Sequence, residues 1–170
     1  MLRPLLVDVV GQKIAIRSHN HQLQHDRPGT IFPTDPHTRD MDELLNAARE
    51  AVSKAYVPYS EYAVGAAIET TAGAIYTGAN LEVSNYSNSL HAEEVALSRA
   101  LMDGHEEFER IAVSAEAADG PTPCGMCRQT LSEFAGPDFV VVVDAQDGPE
   151  TYRLGELLPH AFSGANLGVE

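Results

Sequence analysis

The chain has 170 residues, 44% of them hydrophobic, and a formal charge of −14. That length and apolar content fit one globular domain able to bury a sizeable core. The acidity, with Lys13 and Lys54 as the only lysines, opposes partners built on phosphate backbones and so argues against nucleic acid. No apolar run approaches the roughly 20 residues that span a bilayer. Pro4 and Asp8 break any secretory leader pattern at the start, so the expectation is a cytoplasmic protein without a membrane partner. A surface this rich in carboxylates suits concentrated salt, where counter-ions screen its repulsion, with simple solubility as the plain alternative.

Residues 1–40 carry five Lys/Arg and four Asp/Glu, a net charge of +1, whereas 41–170 carry six and 21, a net charge of −15. The first segment also holds His19, His21, His25 and His37 and a Pro-interrupted run without helical or strand period. It reads as a disordered extension or as a start placed too far upstream, the second being favoured, with Met41 as the natural first residue. Irregular histidine spacing speaks against a metal tract there. The domain is therefore put at 41–170.

From Met41, Leu44, Leu45, Ala48, Ala51, Val52 and Ala55 form an apolar stripe at helical spacing, with Asp40 as N-cap and an end before Pro58. Residues 62–69 and 74–77 read as strands around a turn at 71–73. Helix is expected over 90–102, strand over 109–115, helix over 124–134 and buried strand over 139–144, then a last strand at 150–154 and a short helix at 155–158. Helices alternating with strands predict a three-layer α-β-α sandwich around one mixed five-stranded sheet.

The only cysteines, Cys124 and Cys127, have CxxC spacing, which points to metal or redox chemistry rather than a disulfide framework. They follow Pro123, and 33 positions upstream of Cys124 stands His91-Ala92-Glu93. One His and two Cys give zinc three protein ligands and leave the fourth tetrahedral position open, the arrangement of a catalytic site. Both motifs open predicted helices, whose positive ends should keep the thiols deprotonated even before a metal adds its effect. Glu93, two residues from His91, can lie beside the metal without ligating it and shuttle protons. An H-x-E with P-C-x-x-C and a non-ligand Glu resembles the signature of zinc deaminases, in which water attacks C4 of cytosine. A redox pair needs neither Pro123 nor the upstream histidine, and a purely structural zinc would want a fourth Cys or His nearby. His105 and His160 are left as surface residues.

With these residues placed, the chain from about 41 to 167 resembles the small, homotetrameric type of zinc-dependent cytidine deaminase. Tyr56-Val57-Pro58-Tyr59-Ser60, then Tyr62 and Val64-Gly65-Ala66-Ala67, resemble its entry block, and Gly78-Ala79-Asn80-Leu81-Glu82 its ribose block. Cys124-Gly125-Met126-Cys127-Arg128-Gln129 resembles the second zinc block, and Leu157-Leu158-Pro159 with Phe162 the C-terminal block. The resemblance implies deamination of cytidine and deoxycytidine with one zinc per chain held by His91, Cys124 and Cys127 and with Glu93 catalytic. It further implies that Asn80 and Glu82 hydrogen-bond the ribose, that Tyr62 lies against the base, and that Phe162 reaches a neighbouring subunit's pocket. A homotetramer with shared active sites follows by the same resemblance.

Two departures from the family pattern belong together. Most short members have cysteine at the His91 position and arginine at the Glu94 position. A site with three thiolates carries a surplus negative charge that one histidine removes, so the compensating arginine is no longer required. Arg128 either supports the thiolates or offsets surface charge. Two alternatives stay open: a deaminase of a modified cytosine nucleoside such as blasticidin S, which the pair Asn80 and Glu82 disfavours, and a non-catalytic zinc-binding relative, which Glu93 disfavours.

Overall fold

The computed structural model describes residues 36–116 and 120–168, with side chains from Met41 onward. The expectations for residues 1–35, and for the side chains of 36–40, lie outside what is described. In chain order the elements are α1 (Pro36–Val52), β1 (Val64–Thr70), β2 (Ile75–Ala79), α2 (Ala92–Met102), β3 (Phe108–Ala115), α3 (Gly125–Phe134), β4 (Val140–Val143), β5 (Glu150–Arg153) and α4 (Leu154–Leu157). Helix α1 begins five residues before Met41, so Asp40 lies inside the helix instead of capping it. Proline at the first helical position has its φ already set and gives up an N–H that no intrahelical acceptor would take, which is why Pro36 can start a helix.

The sheet has the order β2-β1-β3-β4-β5. Strand β1 runs antiparallel to both β2 and β3, β3 and β4 are parallel, and β5 returns antiparallel to β4. This is the mixed five-stranded sheet expected from the alternation of elements. Strand periodicity of two sorts the core into two layers. Ala66, Ile68, Ile111, Val113, Val141 and Val143 point to one face and pack with Ala92, Ala96, Leu97 and Ala100 of α2 and Leu131 of α3. Ala67, Ala112 and Val142 point to the other and meet Leu44, Leu45 and Ala48 of α1.

Two glycines let the helices come this close. A Cβ on Gly65 would run into the backbone of Ala48, Ala51 and Val52 in α1, and one on Gly78 into Ala92, Val95 and Ala96 in α2. The two layers are thus fitted backbone to backbone. Charged pairs reinforce the α1 side. Arg49 Nη2 and Nε hold the two carboxylate oxygens of Asp144 at 2.5 and 2.8 Å, and the Ser114 hydroxyl donates to the same carboxylate at 2.8 Å. Arg110 and Glu69, directly opposite in the β1–β3 register, form a second, largely buried pair at 2.5 Å.

Candidate metal centre

His91 is the residue that caps the N-terminus of α2, and Cys124 holds the same position in α3, with Cys127 in that helix's first turn. The sequence pattern put these residues at helix starts, and the fold points the starts at each other. His91 Nδ1 lies 3.1 Å from Cys127 Sγ and 3.3 Å from Cys124 Sγ, and the two sulfurs are 3.6 Å apart. Zinc bonds of about 2.3 Å to sulfur and about 2.05 Å to nitrogen at tetrahedral angles put sulfurs about 3.8 Å apart and nitrogen about 3.6 Å from sulfur. The triangle therefore matches the metal's geometry to within about half an ångström, and one imidazole with two sulfurs is a zinc donor set. Among the described residues, this is the one cluster of three such side chains close enough to hold an ion.

A cavity of about 280 Å³ reaches two members of this triangle, His91 and Cys124, and is lined besides by Glu93, Tyr62, Val64, Asn80, Ala92, Val113, Pro121 and Thr122. Glu93, in the first turn of α2, is only 5% exposed. Burial raises the pKa of its carboxyl, opposed by its backbone N–H, by the nearby His91 and by a hydrogen bond with Cys127. It contributes no atom to the ligand triangle, as expected of a proton carrier.

One electrostatic expectation fails. Cys127 is fully buried, and burial first, then the charges of Glu93, Cys124 and Glu94, push its thiol well above the ordinary range. Desolvation and neighbouring acids outweigh the helix dipole there, and a bound cation would favour loss of the proton.

The remaining sequence candidates fall into two groups. Asn80 lines the cavity, and its amide is already tied to the backbone: Oδ1 accepts from the Val64 N–H and Nδ2 donates to the Tyr62 carbonyl, both at 2.9 Å. Tyr62 lines the same cavity and is 38% exposed, so it is not a core residue. Glu82 and Phe162 do not line it. Glu82 accepts from the Tyr59 and Ser60 N–H groups at 3.1 Å and from the Ser60 hydroxyl, chiefly through which its carboxyl is held below the usual range. Phe162 projects an exposed ring while its carbonyl accepts from Gln129 Nε2 at 2.7 Å.

Arg128 does neither thing expected of it. Its guanidinium donates to the Pro123 carbonyl at 2.6 Å, the Leu157 carbonyl at 2.8 Å and the Thr122 hydroxyl at 3.0 Å. It braces the loop that delivers Cys124 against the end of α4. Sequence reasoning also missed Val64, Val113, Pro121 and Thr122 as cavity walls, and Ser60 as the partner of Glu82. Ser60 and Val64 left a signal, as parts of the entry block.

Comparison with known proteins follows the same lines. Residues 38–143 match the family model for the cytidine and deoxycytidylate deaminase zinc-binding region. A cytidine deaminase of Sporosarcina psychrophila is 39% identical over 129 residues, covering 75% of this chain and 95% of that one. One from Mycobacterium tuberculosis is 37% identical over 132 residues, covering 77% and 96%. The crystal structure of cytidine deaminase from Burkholderia pseudomallei superimposes with a TM-score of 0.68 at 40% identity, over 71% of this chain and 98% of that one. The chain belongs to the zinc-dependent cytidine and deoxycytidylate deaminase family.

Proposed function

We propose that this chain hydrolyses cytidine and deoxycytidine to uridine and deoxyuridine with release of ammonia. The observation that carries this reading is the buried carboxylate of Glu93 beside a three-ligand zinc triangle, at the floor of a cavity of nucleoside dimensions. When bound, zinc supplies Lewis acidity that brings water near its deprotonated form at neutral pH. Glu93 takes a proton from the attacking water and delivers it to N3 of the pyrimidine, then carries the second, from the hydroxyl formed at C4, to the amine, so that the C–N bond breaks, ammonia leaves and C4 becomes a carbonyl. A carboxyl group whose proton affinity is raised by burial is suited to both accepting and returning that proton.

The substrate roles of Asn80 and Tyr62 rest on geometry and resemblance together, and those of Glu82 and Phe162 on resemblance. After its two backbone bonds the Asn80 amide still has one N–H and one oxygen lone pair to offer a ribose hydroxyl. Glu82, kept ionised by Ser60 and Tyr59, is an acceptor for hydroxyls and repels phosphate, which selects nucleosides over nucleotides. Tyr62 supplies an aromatic wall for the base. Phe162, 57% exposed, is suited to a neighbouring subunit's site, and a homotetramer in the cytoplasm is the assembly we infer.

Replacing Glu93 with Gln tests the mechanism. Zinc content should stay at about one per chain, while loss of the proton carrier should cut the absorbance-monitored turnover of cytidine roughly 10² to 10⁴-fold. Turnover above about a tenth of wild type would refute the role given to Glu93.

A further inference from the structure

The ligand triangle occupies one level of the packing between α2 and α3, and a second contact lies one turn further along both helices. Glu94 follows His91 by three positions, and Thr130 follows Cys127 by three. That spacing stacks side chains on one face of a helix. The Thr130 hydroxyl donates to Glu94 Oε1 at 3.2 Å, directly above the His91–Cys127 approach of 3.1 Å. Both residues are half-buried, and among the described residues theirs is the only side-chain hydrogen bond between the two helices outside the ligands. Two contacts a turn apart fix the spacing and the roll of one helix against the other; a single contact leaves roll free.

We propose that Glu94 and Thr130 are a positioning pair, holding the two ligand-bearing helices in the register the metal needs through a hydrogen bond that no ligand makes. This rests on the metal centre described above. It gives the chain's glutamate, at a position where the resembled family has arginine, a mechanical task in addition to any effect of its charge. Partners standing just behind a ligand set govern metal affinity because they limit how far the ligands wander when the ion is absent.

The test separates hydrogen bonding from charge. Zinc affinity is read by competition with a chromophoric chelator, and coordination geometry by the visible bands of the cobalt-loaded protein. Thr130→Val and Glu94→Ala should each weaken zinc binding by about tenfold or more and alter the cobalt spectrum. The double variant should be no weaker than either single, because both remove the same bond. Thr130→Ser, which keeps the hydroxyl, and Glu94→Gln, which keeps an acceptor without the charge, should bind within about threefold of wild type. Wild-type affinity in Thr130→Val, losses that add in the double variant, or a Glu94→Gln loss as large as that of Glu94→Ala would each overturn the proposal. Should Thr130→Val fail to fold, the contrast between Glu94→Gln and Glu94→Ala decides alone. A wild-type chain that takes up no zinc would overturn the metal centre itself, whereas uptake indifferent to these substitutions overturns only the pair.

Discussion

Substituting Gly78 with Ala adds one methyl group at the point where β2 passes under the first turns of α2. The new carbon would collide with backbone atoms of Ala92 and Ala96 and stand 3.0 Å from the carbonyl carbon of Val95. These are helix backbone atoms, which cannot turn aside as a side chain can, so α2 must retreat by roughly 1 Å to restore van der Waals distance. Overpacking of this kind costs about 1–3 kcal/mol. For a domain of this size that lowers the thermal midpoint by roughly 3–12 °C. Ala92 lies between His91 and Glu93, so the displacement also reaches the chemistry, where a 1 Å error can cost on the order of 10²-fold. Gly65→Ala is the control. It presses equally hard on the backbone of α1, a helix that carries no site residue, and should lower the midpoint while leaving kcat/KM of the folded protein much closer to wild type. Thermal unfolding and cytidine kinetics on both variants are the assay. A Gly78→Ala protein with wild-type midpoint and rate, or a Gly65→Ala protein as inactive as Gly78→Ala, would refute the reasoning.

Asp144 is held below its usual pKa chiefly by the hydrogen bond from Arg49, with Ser114 assisting. A lowered folded-state pKa means that the unfolded chain takes up the proton first, so this contribution is present above about pH 3.9 and fades as pH falls through the lower folded value. Asp144→Asn should therefore flatten the acid limb of the stability profile measured by denaturant unfolding, and an unchanged limb would exclude this pair as its cause. Arg128→Ala leaves two carbonyls and a hydroxyl without their donor; a loss of about 2 kcal/mol or more and weaker zinc retention are expected, and neither should be recovered by lysine, which cannot span all three partners. Removing residues 1–33 should leave zinc content and turnover unchanged, since residues 34–170 form a compact unit of their own; a truncated chain that precipitates or loses zinc would contradict this. With a formal charge of −14, assembly and activity should fall in dilute buffer, and full activity below about 0.1 M salt would count against a saline adaptation.

The sequence disclosed what is periodic or local. The succession of helices and strands and the stripe on α1 announced the layers, and the spacing of His91, Glu93, Cys124 and Cys127 announced the metal chemistry. It could not disclose contacts between residues far apart in the chain. Arg128 reaches the Leu157 carbonyl 29 positions away, and nothing in CxxCR tells whether the guanidinium turns toward the sulfurs or the backbone. The state of Cys127 was misjudged for a related reason: a helix dipole can be read from position, but burial beside Glu93 cannot. The start of α1 was missed because Met41 opens the apolar stripe, while the preceding turn from Pro36 is polar and shows no apolar period.

His91 and Cys124 occupy the positions from which a serine or aspartate would close a helix, and neither makes a side-chain capping hydrogen bond. A good cap contributes about 1 kcal/mol. The chain forgoes two of them, and the ends left open face one another across the triangle. Loading the ion would therefore restrain two helix starts that lack a side-chain cap, as well as complete the catalytic apparatus. A chelator should then loosen the first turns of α2 and α3 before it is felt at the far edge of the sheet, a difference that hydrogen exchange would read.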